Sequence, residues 1–177
     1  RRTVTPSLLM AAGLAGFAVF ALACCWLALC YARSRQLIDQ PGERRSHQVA
    51  TPRGGGAGIV AALLIALLLG AWQAPGWRVE LLALAVALAA VAGIGWWDDH
   101  RPLPASWRLC VHLLAGSVLG WLLWRDGAGL GWSLFAIGLT AALVNIWNFM
   151  DGINGLAVSQ AALVAAAFAL WLPAGIS

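Results

Sequence analysis

Lysine is absent from these 177 residues, tyrosine occurs once, and only 10% of the chain is charged. So little charge cannot solvate a domain of this size when 62% of its residues are hydrophobic, and a soluble globular protein is excluded. Cysteine is scarce too. Cys24, Cys25 and Cys30 lie inside the first apolar run and Cys110 inside a later one, at no metal-ligand spacing, so they read as small apolar helix fillers. The formal charge of +4 comes from arginine alone, with no basic aromatic surface outside the loops. That balance speaks for orientation in a membrane and excludes nucleic acid as a partner.

What is present is apolar sequence in long runs. A hydrocarbon core needs about 20 helical residues to cross, and six runs approach or meet that length: roughly 7–32, 55–72, 80–97, 108–124, 132–150 and 155–172. The expected fold is all-α, a polytopic transmembrane helix bundle of about six spans forming a single integral-membrane domain over 1–177. Arg1 and Arg2 precede the first run as in a secretory signal, but the run is too long for one and no cleavage site follows. The chain begins without methionine and stops just after the sixth run, and both ends read as cuts in a longer protein.

Only the connection 33–56 is long, and it holds Arg33, Arg35, Arg44, Arg45 and Arg53. The positive-inside rule makes it cytoplasmic and puts the N-terminus outside. Alternation then places the loops near 97–108 and 151–154 inside as well. Trp72, Trp77, Trp96, Trp97, Trp107, Trp121, Trp124, Trp132 and Trp147 fall near run ends, where indole prefers the interface.

This parity collects acids. Asp98 and Asp99 close the third run and Asp151 the fifth, so three carboxylates reach one membrane face at similar depth. Adjacent carboxylates repel unless a cation neutralises them. Mg2+, or Mn2+ in its place, takes hard oxygen ligands and keeps positions for water and substrate phosphate. In NIWNFMDGINGLA, Asn145, Asn148, Asp151 and Asn154 recur every third residue, which on a helix makes one polar stripe at a span end. Taken singly, such amides serve equally as glue between membrane helices.

The long loop adds PGERRSHQVATPRGGGAG. Its glycines 54–56 leave backbone N–H groups for an anion, and Arg44, Arg45 and Arg53 supply charged donors, a combination that fits a diphosphate. His47 either donates to phosphate or orients the loop. His100, beside the acidic pair, is a partner of those acids or a solvated interface residue. His112, one turn after Arg108, reads as a hydrogen bonder between helices.

Three motifs in this order, LIDQPGERRSHQVATPRGGGAGIV, GWWDDHRPLPASWRL and NIWNFMDGINGLA, resemble the polyprenyl-phosphate N-acetylhexosamine-1-phosphate transferases, or glycosyl transferase family 4. The first motif is closer to the O-antigen branch than to the peptidoglycan branch. The resemblance implies transfer of a sugar-1-phosphate from a UDP-N-acetylhexosamine to undecaprenyl phosphate, with release of UMP. It implies Asp98, Asp99 and Asp151 as the catalytic and metal-binding acids, and a bacterial inner-membrane enzyme working at the cytoplasmic face. Arg44, Arg45, His47, Arg53, Gly54, Gly55, Asn145, Asn148 and Asn154 are the candidate substrate contacts, with membrane lipid around the protein and a homodimer as the assembly to test. Two departures matter. Asn154 stands where many relatives carry an acid, and the later spans and histidine-rich loop of such enzymes have no counterpart, so the chain alone is expected to be inactive. Other classes remain: an ion-coupled transporter subunit wants acids in mid-span, and an intramembrane prenyltransferase wants a DxxD repeat that DDHRPLPA lacks.

Overall fold

A computed structural model describes residues 6–39, 51–52, 54, 56–151 and 156–171. Six helices follow one another: α1 (Pro6–Ser34), α2 (Gly56–Gln73), α3 (Arg78–His100), α4 (Ala105–Arg125), α5 (Leu130–Asp151) and α6 (Leu156–Trp171). Among the described residues, five are long and apolar enough to cross a membrane. The sixth expected span is present as an apolar helix of 16 described residues. At 1.5 Å per residue it reaches about 24 Å, short of a hydrocarbon core of about 30 Å. The all-α polytopic bundle stands.

Where the helices stop follows from backbone chemistry rather than from the ends of the apolar runs. α3 continues through Asp98, Asp99 and His100, and only Arg101 leaves the helix, at φ −145° and ψ 114°. Pro102 is the cause, since its ring disfavours α geometry in the residue before it. Pro104 then sits extended as the cap of α4. The connection expected over 97–108 is therefore only the four residues 101–104, and both acids lie within the last turn of α3.

Each helix packs chiefly on its neighbours in sequence, α1 on α2 through to α5 on α6. The interfaces are built from small residues. Ala32, Ala62, Ala71, Ala85, Ala87, Ala115 and Ala141 are buried, while large side chains such as Leu14, Leu22, Leu68, Val86 and Leu114 are exposed. This inverts a soluble core, because lipid solvates leucine as well as protein does, and close backbone approach becomes the source of packing energy.

The most extensive helix contact is that of α4 with α5. Gly116 and Gly120 form a GxxxG stripe whose bare face meets the α5 backbone: a Cβ at Gly116 would lie 2.8 Å from the Ile137 carbonyl oxygen, and one at Gly120 2.8 Å from that of Ser133. Exposed tryptophans mark the two ends of the bundle. Trp72, Trp77, Trp121, Trp124 and Trp132 stand at one, Trp96, Trp97 and Trp107 at the other.

One small element was not anticipated. Ile38 pairs with Pro52 and Asp39 with Thr51 in a two-residue antiparallel ladder of β1 (Ile38–Asp39) and β2 (Thr51–Pro52). It pins the two ends of the long connection together beside the end of α1. Pro52 is tolerated because so short a ladder leaves its missing N–H on an unpaired side.

Candidate active site at one end of the bundle

The site end is assembled by three side-chain ties. At the first, Asp98 Oδ1 accepts a hydrogen bond from the Leu103 N–H at 2.8 Å, and Oδ2 accepts one from Arg108 Nη1 at 3.0 Å. One carboxylate thus caps the 101–104 turn and joins the end of α3 to the start of α4. At the second, His100 Nδ1 donates to the Trp96 carbonyl at 2.8 Å, which leaves Nε2 to accept from the Tyr31 hydroxyl at 3.2 Å. Tyr31 stacks on Trp96 with centroids 5.2 Å apart, and Trp96 on His100 at 4.8 Å. The end of α1 is held to the end of α3 in this way, and His100 belongs to that aromatic cluster.

The third tie lies deeper. His112 on α4 is buried, and its Nδ1 is 3.2 Å from the Asn145 amide nitrogen on α5. The same nitrogen donates to the Ala141 carbonyl at 2.7 Å. His112 is therefore the interhelical hydrogen bonder expected from its position. Together the ties bring one end of the bundle to a common level: the ends of α1, α3 and α5 with the starts of α2 and α4.

Asp99 takes a separate place from its neighbour. It lines a cavity of about 540 Å³ between α2 and α3, together with Gly54, Gly56 and Trp96 at the mouth and Val60, Ala61, Leu64, Ala89, Ala92 and Gly93 farther in. From Gly56 to Leu64 is eight residues of α2, roughly 12 Å along the helix axis, so the cavity runs from the polar end somewhat less than halfway along α2. Its walls are small or aliphatic and its carboxylate sits at one end. Gly54 has φ +80° and thus occupies a backbone region that side chains rarely adopt.

On α5, Asn145 faces α4, whereas Asn148 is exposed next to Leu143, Val144 and Trp147. The two amides are neighbours on the helix surface but meet different surroundings. Asp151 ends α5; its side chain lies outside the described residues, as do Arg44, Arg45, His47, Arg53, Gly55 and Asn154. Among the described residues no three metal-ligating side chains gather at one point. The donor set nevertheless suits a hard cation: Asp99 is a carboxylate at the polar mouth of a cavity, the end of α5 lies at the same level, and Mg2+ asks for only one or two carboxylates. Asp98 fits less well as a ligand, since both its oxygens already accept hydrogen bonds.

The far end carries its own charges. Arg125 bridges Glu80 of α3 and Asp126 beyond α4, and its guanidinium lies 5.5 Å from the Trp121 ring centroid. The sequence reading did not pair Arg125 with Glu80. The spacing of Glu80 and Arg125 in two antiparallel spans was the available signal. The GxxxG stripe of α4 also went unread, although its spacing is visible in AGSVLG.

Comparison with known proteins follows the same residues. The pattern of glycosyl transferase family 4 matches residues 81–174, from the body of α3 to just past α6. A decaprenyl-phosphate N-acetylglucosaminephosphotransferase of Mycobacterium tuberculosis is 33% identical over 153 residues, covering 76% of this chain and 38% of the relative. The corresponding protein of Mycobacterium leprae is 31% identical, over 77% of this chain and 39% of its own length. A phospho-N-acetylmuramoyl-pentapeptide-transferase of Synechococcus elongatus is 32% identical over 94% of this chain and 52% of the relative. The chain thus spans about half the length, or less, of the curated relatives it matches. No solved structure matches it. The matched segment includes the acidic pair, the α4–α5 interface and the NIWNFMDGING stretch, and the chain belongs to glycosyl transferase family 4.

Proposed function

We propose that the complete protein transfers a sugar-1-phosphate from a UDP-N-acetylhexosamine to undecaprenyl phosphate in the bacterial inner membrane, at the cytoplasmic face, and so starts a lipid-linked envelope glycan. The observation that carries the reading is the cavity between α2 and α3. Its apolar walls run along the groove between α2 and α3 to Asp99 and Gly54 at the polar end, a shape suited to an amphiphile whose chain lies in the membrane and whose phosphate stays at the interface. Family membership supplies the reaction class. The relatives named above act on polyprenyl-phosphate or muramoyl-pentapeptide substrates by their names alone. An O-antigen type of product is preferred here over peptidoglycan because of the RRSHQVATPRGGG loop.

In this reading an oxygen of the lipid phosphate forms a bond to the sugar-bearing phosphorus of the donor. The bond from that phosphorus to UMP breaks, and UMP leaves with the electron pair. Positioning and charge neutralisation carry such a transfer. Asp98, held by Leu103 and Arg108, keeps the α3–α4 turn in place. Asp99 and Asp151 would hold Mg2+, which would supply neutralisation of the diphosphate charge. Asn148, Asn154 and the loop residues Arg44, Arg45, His47, Arg53, Gly54 and Gly55 serve as the contacts to the nucleotide and its phosphates.

The test uses the full-length protein in liposomes with undecaprenyl phosphate, a panel of UDP-N-acetylhexosamines and Mg2+. Release of UMP with formation of a lipid-linked diphospho-sugar is expected, lost in Asp151→Asn and Asp99→Asn. Ion flux without any UMP release would move the protein to the transporter class. Native mass spectrometry of the same preparation reads whether it is a homodimer.

A further inference from the structure

We propose that His112 is a positioning residue for the candidate site: its hydrogen bond with Asn145 sets the register of α5 against α4 and thereby the place of Asp151 relative to the Asp98–Arg108 pair. The proposal rests on the reading of this end of the bundle as the reaction site.

The direction of the bond follows from the geometry. The Asn145 amide nitrogen lies 2.7 Å from the Ala141 carbonyl oxygen, so it must be the NH2 group, because a flipped amide would set two acceptors against each other. Its second hydrogen then points to His112 Nδ1 at 3.2 Å. Nδ1 is an acceptor, and the imidazole is the neutral tautomer with its proton on Nε2.

The surroundings say why this bond matters. Below it the α4–α5 contact is a glycine stripe, Gly116 and Gly120, against the backbone of Ile137 and Ser133. Bare glycines permit close approach but discriminate poorly between positions along the axis. His112 and Asn145 are the directional contact in the same stripe, since His112, Gly116 and Gly120 recur every fourth residue, as do Ser133, Ile137, Ala141 and Asn145. A slip of one turn would move the end of α5, where Asp151 stands, by about 5.4 Å along α4. One turn before His112, Arg108 holds Asp98. A single helix, α4, thus references both acid-bearing helices from adjacent turns.

The experiment has two arms, both on the full-length protein in lipid bilayers. In the first, 15N NMR of histidine-labelled protein reads the His112 ring, assigned by the signal lost in His112→Gln. An unprotonated, hydrogen-bonded Nδ1 that shifts in Asn145→Leu is expected, and a protonated Nδ1 overturns the pairing. In the second arm, UMP release is measured against Mg2+ concentration. His112→Leu is expected to lower turnover by about 10–100-fold and to raise the Mg2+ requirement, the range seen when groups that orient metal ligands are removed. His112→Gln, whose carboxamide oxygen accepts the same bond, is expected to restore most of both with an unchanged pH profile. Wild-type Mg2+ dependence and turnover in His112→Leu overturns the proposal, as does a His112→Gln variant no better than His112→Leu. Wild-type turnover in Asp151→Asn would instead refute the site reading, and the NMR arm decides the pairing in either case.

Discussion

Asp98 and Asp99 are neighbours in sequence and diverge in space, and the divergence separates their expected phenotypes. Asp98 accepts from a backbone N–H and from Arg108, with side chains that remain 27% and 36% exposed. A pair so accessible to water contributes at most about 1 kcal/mol. Asp98→Asn keeps an oxygen for Leu103 and is expected to change stability by less than that. Asp98→Leu strips the Leu103 N–H of its partner and is expected to cost about 1–3 kcal/mol. Reversible unfolding in mixed detergent separates the two, and equal losses would refute the capping role. Asp99 at the cavity mouth is expected to show the opposite balance. Asp99→Asn should lower UMP release by at least about 100-fold, the scale seen when one group facing developing charge is removed, and an active Asp99→Asn would remove it from the site. At the far end, Arg125→Ala breaks the bridge between Glu80 and Asp126. It should lower stability only slightly, because water screens the pair, while leaving the kinetics of UMP release unchanged.

Among the helices, α4 and α5 form the unit on which the site depends. Their contact uses glycine where a membrane interface needs nearness, and the consequence is a sign test. Gly116→Ala places a methyl 2.8 Å from the Ile137 carbonyl oxygen, and overpacking of this kind costs about 1–3 kcal/mol. Gly138 lies on the same pair of helices with open space around its Cβ direction, so Gly138→Ala is expected to be neutral or stabilising by up to about 1 kcal/mol through helix propensity. Unfolding midpoints of the two variants, measured side by side, check both. The same order of stability for the two would mean that the close α4–α5 approach is not what holds the pair.

For the whole molecule the open quantity is its sense across the membrane. The arginine-rich connection should be cytoplasmic, which puts the turn between α4 and α5 outside and the 101–104 turn inside. A cysteine-free form carrying Ala128→Cys should react with a membrane-impermeant thiol reagent added to intact cells, and one carrying Arg101→Cys only after the membrane is opened. The reverse pattern would invert the bundle and take the candidate site away from cytosolic sugar nucleotides. The two tryptophan belts limit the slab without saying which side is which, since indole anchors at both interfaces alike.

Composition and run length were enough by themselves to determine an all-α membrane bundle: only helices and closed barrels satisfy their backbone hydrogen bonds inside hydrocarbon, and continuous apolar runs near 20 residues fit helices, not the short alternating strands of a barrel. Parity of the spans placed Asp98, Asp99 and the end of α5 on one face, and the order of three motifs pointed to the family. Partners were not legible. Nothing linear says that Asp98 turns to Leu103 and Arg108 while Asp99 turns to the α2–α3 cavity, because one residue along a helix is a rotation of about 100°. Nor does it say that Asn145 faces His112 while Asn148 is exposed, or that His100 joins Tyr31 and Trp96. Those choices depend on which helix lies against which and at what distance. Only the tertiary structure decided them, through alanine and glycine contacts whose partners on the facing helix the sequence does not name.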